Sequence, residues 1–325
     1  MSSTADGILL DQVTRGGLLS GGRPVLVLLS GGRDSTCLLD VAVRIAGREV
    51  VAALHVNYGL REASAGDEAH CVALCERLAV PLEVRRPARI ETGNLQAWAR
   101  DVRYGAAAQL ALRRGGDVAA GHTATDQVET ILYRLASSPS RRALLGMRER
   151  DGALIRPLLR VSREQTAAYC AERGLSWRED ESNESAVFAR GRVRAHLVPA
   201  LREIHPAAEE NVLALAEILR DEADVLDALV DDALAGGAAI PLERLRALPP
   251  ALARLVVQRL ADRAAGRPAP GIARRSAEIA ALSQHGVAML DLPSGVRAIV
   301  ERGLLRFVRR TAAAGPHETE TTPIN

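Results

Sequence analysis

Short runs of β-branched residues and leucine alternate with longer helical patterns over the first two hundred positions. The apolar runs 24–30 (PVLVLLS), 50–56 (VVAALHV), 81–85 and 117–121 (DVAAG) predict strands, and 35–46, 64–79, 94–113 and 126–136 predict helices. Strands that are apolar without alternation are covered on both faces, as in a parallel sheet. Their regular exchange with helices predicts an α/β fold, a doubly wound parallel sheet whose ligands bind at the carboxyl ends of the strands. Past His205-Pro206 the texture changes. Residues 207–235 read as one helix with an acidic face (Asp221, Glu222, Asp224, Asp227, Asp231, Asp232), stopped by Gly236-Gly237. Helical patterns over 241–264 and 270–284 follow. Then "VAMLDLPSGVRAIVERGLLRFV" alternates like two or three short strands with a turn at Pro293-Ser294-Gly295. The pattern therefore divides the chain into an α/β domain, 1–205, and a smaller, mainly helical domain, 206–325, with a tail from Thr311 expected to be unstructured.

Composition narrows this picture. A chain of 325 residues accommodates two cores, and with 47% hydrophobic residues but no apolar run near the length of a bilayer span, a cytoplasmic protein without a membrane partner is expected. Cys37, Cys71, Cys75 and Cys170 form neither a CxxC redox pair nor a zinc pattern and read as buried small apolar residues, which disfavours an iron–sulfur cluster. All 42 basic residues are arginine. Without lysine there is no Schiff-base or lysine nucleophile and no GxxxxGK[ST] loop. Residues 1–205 carry 28 arginines against 24 acids (+4), and residues 206–325 carry 14 against 16 (−2). That excess permits a nucleic-acid partner without requiring one. Because Trp 2, Tyr 4 and Phe 2 are all the aromatics, base stacking along a single strand is disfavoured, and arginine–phosphate contacts would dominate such binding.

The strand-to-helix junction "SGGRDS" (30–35) carries the strongest chemical signal. Two glycines let the backbone approach a ligand, and the amides and dipole at the following helix's N-terminus attract an anion. The spacing is not GxGxxG, which removes the dinucleotide-binding loop. A tight turn with no ligand is the bland alternative.

"SGGRDS" resembles the SGGxDS pyrophosphate loop of the N-type ATP pyrophosphatases, the PP-loop superfamily. The segments "HVNYGLR" (55–61), "ARDVRY" (99–104), "GHTATDQVET" (121–130), "LLGM" (144–147), "RPLL" (156–159) and "WREDESNESAVFARGRVR" (177–194) then follow in the order found in the tRNA(Ile)-lysidine synthase family. That resemblance covers nearly the whole chain. It implies an ATP-dependent ligase that adenylates the C2 oxygen of the wobble cytidine in CAU-anticodon tRNA(Ile), then lets the side-chain amine of free L-lysine displace AMP to leave lysidine at C2.

By the same resemblance Ser30, Gly31, Gly32, Arg33 and Ser35 hold pyrophosphate, with Asp34 catalytic and helping to place Mg2+ beside ATP. Asp126 and Glu129, three apart at the start of a helix, share one face and would bind lysine. His122 would contact the nucleotide or relay a proton, although a lone histidine serves a core as readily. Arg100 and Arg103 share a helical face and would stabilise charge on the α-phosphate, unless they are merely solvated. His55 and Asn57 either line the adenosine pocket or satisfy one another in a loop. Arg178, Asp180, Ser182, Asn183, Arg190 and Arg194 fall on the family's tRNA-proximal pattern, Arg192 adds a cation, and Arg141 and Arg142 keep a neighbouring loop basic.

Four departures stand out. Thr125 replaces the first aspartate of a usual Asp-Asp pair, Tyr58 a common histidine, Gly191 a usual asparagine, and "SSPSRR" (137–142) a glycine-rich loop. The rivals are a 2-thiocytidine synthetase-like enzyme, which expects CxxC cysteines, a small-molecule synthetase, and a nucleotide-binding module without catalysis. A homodimer is compatible with the sequence, which does not give the oligomeric state.

Overall fold

The computed structural model describes residues 4–60, 63–88, 94–138, 140–178 and 189–310. The tail from Thr311, and Asp180, Ser182 and Asn183, lie outside them. Two compact units appear, Met1–Leu219 and Arg220–Asn325.

The first unit contains α1 (Ala5–Arg15), β1 (Val25–Leu28), α2 (Arg33–Ala46), β2 (Val51–Val56), α3 (Ser64–Leu78), β3 (Leu82–Arg85), α4 (Leu95–Arg114), β4 (Asp117–Ala119) and α5 (Ala124–Ser137). After these come β5 (Arg150–Asp151), β6 (Leu154–Ile155), α6 (Arg163–Glu172), α7 (Ala189–Arg192), a π-helical turn Val193–Leu197 and α8 (Val198–Ile204). The sheet order is β3-β2-β1-β4-β6-β5. All its pairs are parallel except β5–β6. The expected doubly wound α/β sheet is therefore present, and its strand order reverses between β1 and β4, the position where sheets of this kind bind ligands. β1 is buried along its whole length because helices cover both faces. Val25, Val27, Cys37, Leu38 and Tyr169 belong to one core layer, and Leu26, Leu28, Ala107 and Leu110 to the other.

All four cysteines are free and buried. Burial pushes the Cys71 and Cys75 thiols up to about 12, which leaves them protonated and inert.

The sequence pattern missed α1, α6 and the two-residue strands β5 and β6, which are too short to show a period. The helix expected over 207–235 is α9 (Ala208–Leu234), and the unit boundary falls inside it rather than at His205-Pro206. Its first turns belong to the first unit because Val212 and Leu213 pack on the cluster of Val128, Leu132, Val193 and Val198.

The second unit continues with β7 (Ala239–Pro241), α10 (Leu242–Ala247), α11 (Pro250–Ala265), α12 (Ser276–Ala280), β8 (Val287–Leu292), β9 (Val296–Glu301) and β10 (Leu304–Arg309). The single helix expected over 241–264 is two. Pro249 and Pro250 force Leu248 into an extended conformation (φ −71, ψ 147), because a residue before proline avoids the helical region. The helix expected over 270–284 shrinks to a 3-10 turn, Ile272–Arg275, followed by α12. The terminal strands form an antiparallel sheet in the order β7-β10-β9-β8, with β7 an unforeseen fourth member. Among the described residues no helix is long and apolar enough to cross a membrane.

Candidate active site

The junction between β1 and α2 forms a loop drawn together by its own hydroxyls. Ser35 Oγ donates to Gly32 O at 2.9 Å and accepts from Ser30 N–H at 3.1 Å, while Ser30 Oγ accepts from Gly32 N–H at 3.3 Å. Gly31 sits at φ +85, where a side chain would be strained, and a Cβ there would lie 3.3 Å from Cys71 Sγ. Gly32 caps α2 without a side-chain hydrogen bond, so the helix N-terminus presents bare amides. From outside, Arg178 N–H donates to Gly31 O at 2.9 Å, and its guanidinium meets Asp67 Oδ1 at 3.3 Å. Arg178, expected to meet tRNA, thus braces the loop against α3.

Asp34 is tightly engaged. Its Oδ1 accepts from Thr166 Oγ at 2.6 Å and Arg33 Nε at 3.3 Å, and Arg163 Nε lies 3.4 Å from Oδ2. A carboxylate is the hard oxygen donor that Mg2+ requires, so the chemistry fits. No cluster of three His, Cys, Asp or Glu suited to a metal exists among the described residues, so the protein would offer little beyond this one group.

At the end of β2, His55 is buried; its Nδ1 donates to Leu29 O at 2.9 Å, and its Nε2 has no partner. Asn57 has its amide committed to the loop. Nδ2 donates to Ser64 O and Glu68 Oε2, and Oδ1 accepts from Gly59 N–H.

The junction between β4 and α5 brings the second set of residues beside the loop. Gly121 lets the two junctions come close, since a Cβ there would lie 3.1 Å from the Asp34 backbone. Thr123 and Asp126 form a capping box. Asp126 Oδ2 accepts from Thr123 N–H and Oγ, both at 2.9 Å. Burial pushes the Asp126 pKa up, but the Thr123 amide and the charges of Arg163 and Arg190 outweigh it and hold the carboxyl below its ordinary value. Glu129 is fully buried and bound bidentately by Arg194, at 2.6 and 3.0 Å, with Arg190 Nε at 3.5 Å. Arg190 and Arg194 also lie 3.8 Å from Asp126 Oδ1. The π turn after α7 carries Arg194 to this position.

So the residues expected to bind lysine and two of those expected to bind tRNA are one ion-paired group. Arg192 instead lines an open apolar groove of about 470 Å³ with Tyr133, His196 and Leu197. Arg141 and Arg142 occupy a 3-10 turn, Arg141–Ala143, after α5.

His122 follows β4, and its Nδ1 is buried with no partner. Burial, reinforced by the charges of Arg156, Arg190 and Arg103 against the opposing pull of Asp126, lowers its pKa to about 4. The imidazole is neutral at pH 7. Arg100 and Arg103 on α4 lie over the Tyr104 ring at 4.8 and 5.3 Å. Arg156 and Arg134 complete this basic side and were not singled out from sequence. Arg156 opens the "RPLL" segment, which was legible only as a family marker, and Arg134 sits in a helix where nothing marks one arginine from another. Thr166 and Arg163, which hold Asp34, had no sequence signal.

A glycine-rich loop at the head of a buried first strand, facing acids and arginines across the switch point, defines a PP-loop protein. The PP-loop domain family model matches residues 9–201. The U34-tRNA thiolase NcsA from Methanococcus maripaludis, described with its [4Fe-4S] cluster, shares the fold, with TM-score 0.56 and 17% identity over 66% of this chain and 78% of that one. Curated relatives are nearer. The tRNA(Ile)-lysidine synthase of Symbiobacterium thermophilum is 36% identical over 335 residues, 94% of this chain and 69% of that protein. That of Thermus thermophilus is 37% identical over 246 residues, 74% of this chain and 48% of its own length. The chain belongs to the tRNA(Ile)-lysidine synthase family, and it spans about half the length of several curated relatives.

Proposed function

We propose that this protein uses ATP to adenylate the C2 oxygen of the wobble cytidine in CAU-anticodon tRNA(Ile), then joins free L-lysine to C2, releasing pyrophosphate and AMP. The single observation that carries the reading is the convergence, along one sheet edge, of the β1–α2 loop, the Asp126–Glu129 pair and His122, in a chain of this family.

In the first step the C2 oxygen of cytidine attacks the α-phosphorus and the α–β bond breaks. The bare amides at the head of α2 and the Ser30 and Ser35 hydroxyls receive the pyrophosphate leaving group. Asp34 would hold Mg2+, which would neutralise charge on the polyphosphate when bound. In the second step the neutral lysine side-chain amine attacks C2, the C2–O bond breaks, and AMP departs with the electron pair. Asp126 and Glu129 attract the ammonium groups of lysine. His122, neutral at pH 7, relays the proton lost by the attacking amine to solvent. Arg190 and Arg194 hold the acids until substrate arrives.

Pyrophosphate release from ATP and Mg2+ with a CAU-anticodon tRNA(Ile) transcript tests the reading. Release that depends on this transcript, with labelled lysine attached to it, is expected. Equal release with tRNA(Met), or with no RNA, overturns it. Asp34→Ala is expected to lose pyrophosphate release by about a hundredfold or more, the scale of removing one transition-state contact.

A further inference from the structure

Arg156 directly follows β6, beside the end of β4, where Ala120 N–H donates to Ile155 O at 3.0 Å. It is 6% exposed. Its backbone N–H donates to Glu149 O and its Nη1 to Arg148 O at 2.6 Å, but its Nε has no partner. Arg103 Nε and His122 Nδ1 are likewise buried and unpartnered. Among the described residues, none of Arg100, Arg103, Arg134 and Arg156 has a carboxylate within ion-pair distance, and the Arg134 side chain reaches only Gly146 O. The group is close enough for its charges to act on one another. After burial, Arg100 and Arg134 push the Arg156 pKa down, against Tyr104 and Asp151. Arg190 and Arg100 do the same to Arg134.

Buried cations are normally paired, and an uncompensated set is unstable unless an anion completes it. A guanidinium presents a planar fork matched to phosphate oxygens. We propose that Arg156, together with Arg103, binds a nucleotide phosphoryl group at the carboxyl end of β6. The charges of both arginines act on the same His122. This rests on the nucleotide chemistry proposed above. It adds an anion site that stands apart from the β1–α2 loop, with β4 between. The phosphoryl group comes either from ATP or from the RNA backbone next to the target base.

Arg156→Gln and Arg156→Lys, checked for folding by thermal unfolding, are compared with the unaltered protein in three arms. These are binding of radiolabelled ATP without RNA, filter binding of a CAU anticodon stem-loop without ATP, and KM for lysine. A tenfold or greater loss in the ATP arm, partly restored by lysine at the position, supports the site with ATP as the source. The same loss in the RNA arm, with the salt slope reduced by about one, supports it with the RNA backbone as the source. Folded Arg156→Gln with both affinities unchanged, or with only the lysine KM raised, overturns it. If the unaltered protein binds neither ATP nor RNA, the proposed function fails first. Should Arg156→Gln not fold, Arg103→Gln, at a half-buried position, carries the same comparison.

Discussion

Two sets of arginines flank His122, and they differ in what neutralises them. Arg190 and Arg194 are held by Glu129 and Asp126, with contacts down to 2.6 Å. Arg100, Arg103, Arg134 and Arg156 face a tyrosine ring, carbonyls and one another. All six would count equally in a tally of basic residues. The paired set has its counter-charge built into the protein, whereas the unpaired set leaves positive field for a ligand; after burial, Arg156 and Arg103 of the unpaired set and Arg190 of the paired set all lower the pKa of His122. Charge balance within a few ångströms, rather than the count of arginines, indicates where a negatively charged substrate belongs.

The largest effect is expected from breaking the paired set. Glu129→Ala removes the buried carboxylate that binds Arg194 bidentately, and the loss is expected at about 3–5 kcal/mol, read by urea unfolding. The double variant Glu129→Gln, Arg194→Met is expected to recover most of that loss, because it removes both charges. If the double variant is no more stable than Glu129→Ala, the ion pair is not what holds α5 to the π turn.

Asp126→Ala comes next, since it removes the N3 partner of the α5 capping box. About 1–2 kcal/mol of stability is expected to go with it. Under the proposed function the KM for lysine is also expected to rise about tenfold, with ATP binding unchanged. An unchanged KM would mean that Asp126 is only a cap, and the pairing with Arg190 and Arg194 would then serve structure alone.

The chain pattern disclosed β1 to β4 and α2 to α5, because long apolar runs and 3.6-residue periods persist over whole elements. The "SGGRDS" loop was also plain, since contiguous residues form it. What was hidden depends on contacts between distant positions. Nothing in the sequence joins Glu129 to Arg194, or Asp34 to Thr166 at 2.6 Å, 132 residues away. The split between α10 and α11 could have been read from Pro249-Pro250, whose constraint outweighs the helical pattern on either side. The two-residue strands β5 and β6 could not, although β6 is what delivers Arg156 to the site.

The smallest effect sharpens the comparison most, because it reads the unpaired set through its neighbour. His122 titrates near 4 in the folded protein, below the ordinary value of about 6.5 expected when unfolded. Between those values the unfolded chain binds a proton that the folded chain refuses, so stability is complete above pH 6.5 and falls as pH drops toward 4. His122→Asn is expected to flatten this acid limb in unfolding measured from pH 7 to pH 4.5. In the parent protein, removing a neighbouring cation by Arg103→Gln is expected to raise the His122 pKa by a few tenths, since burial is the larger cause and remains. Bound phosphate would shift it the same way by answering the same charge. A His122 resonance that ignores both changes in an NMR titration would mean that burial alone sets its pKa, and the field assigned to the unpaired arginines would not reach it.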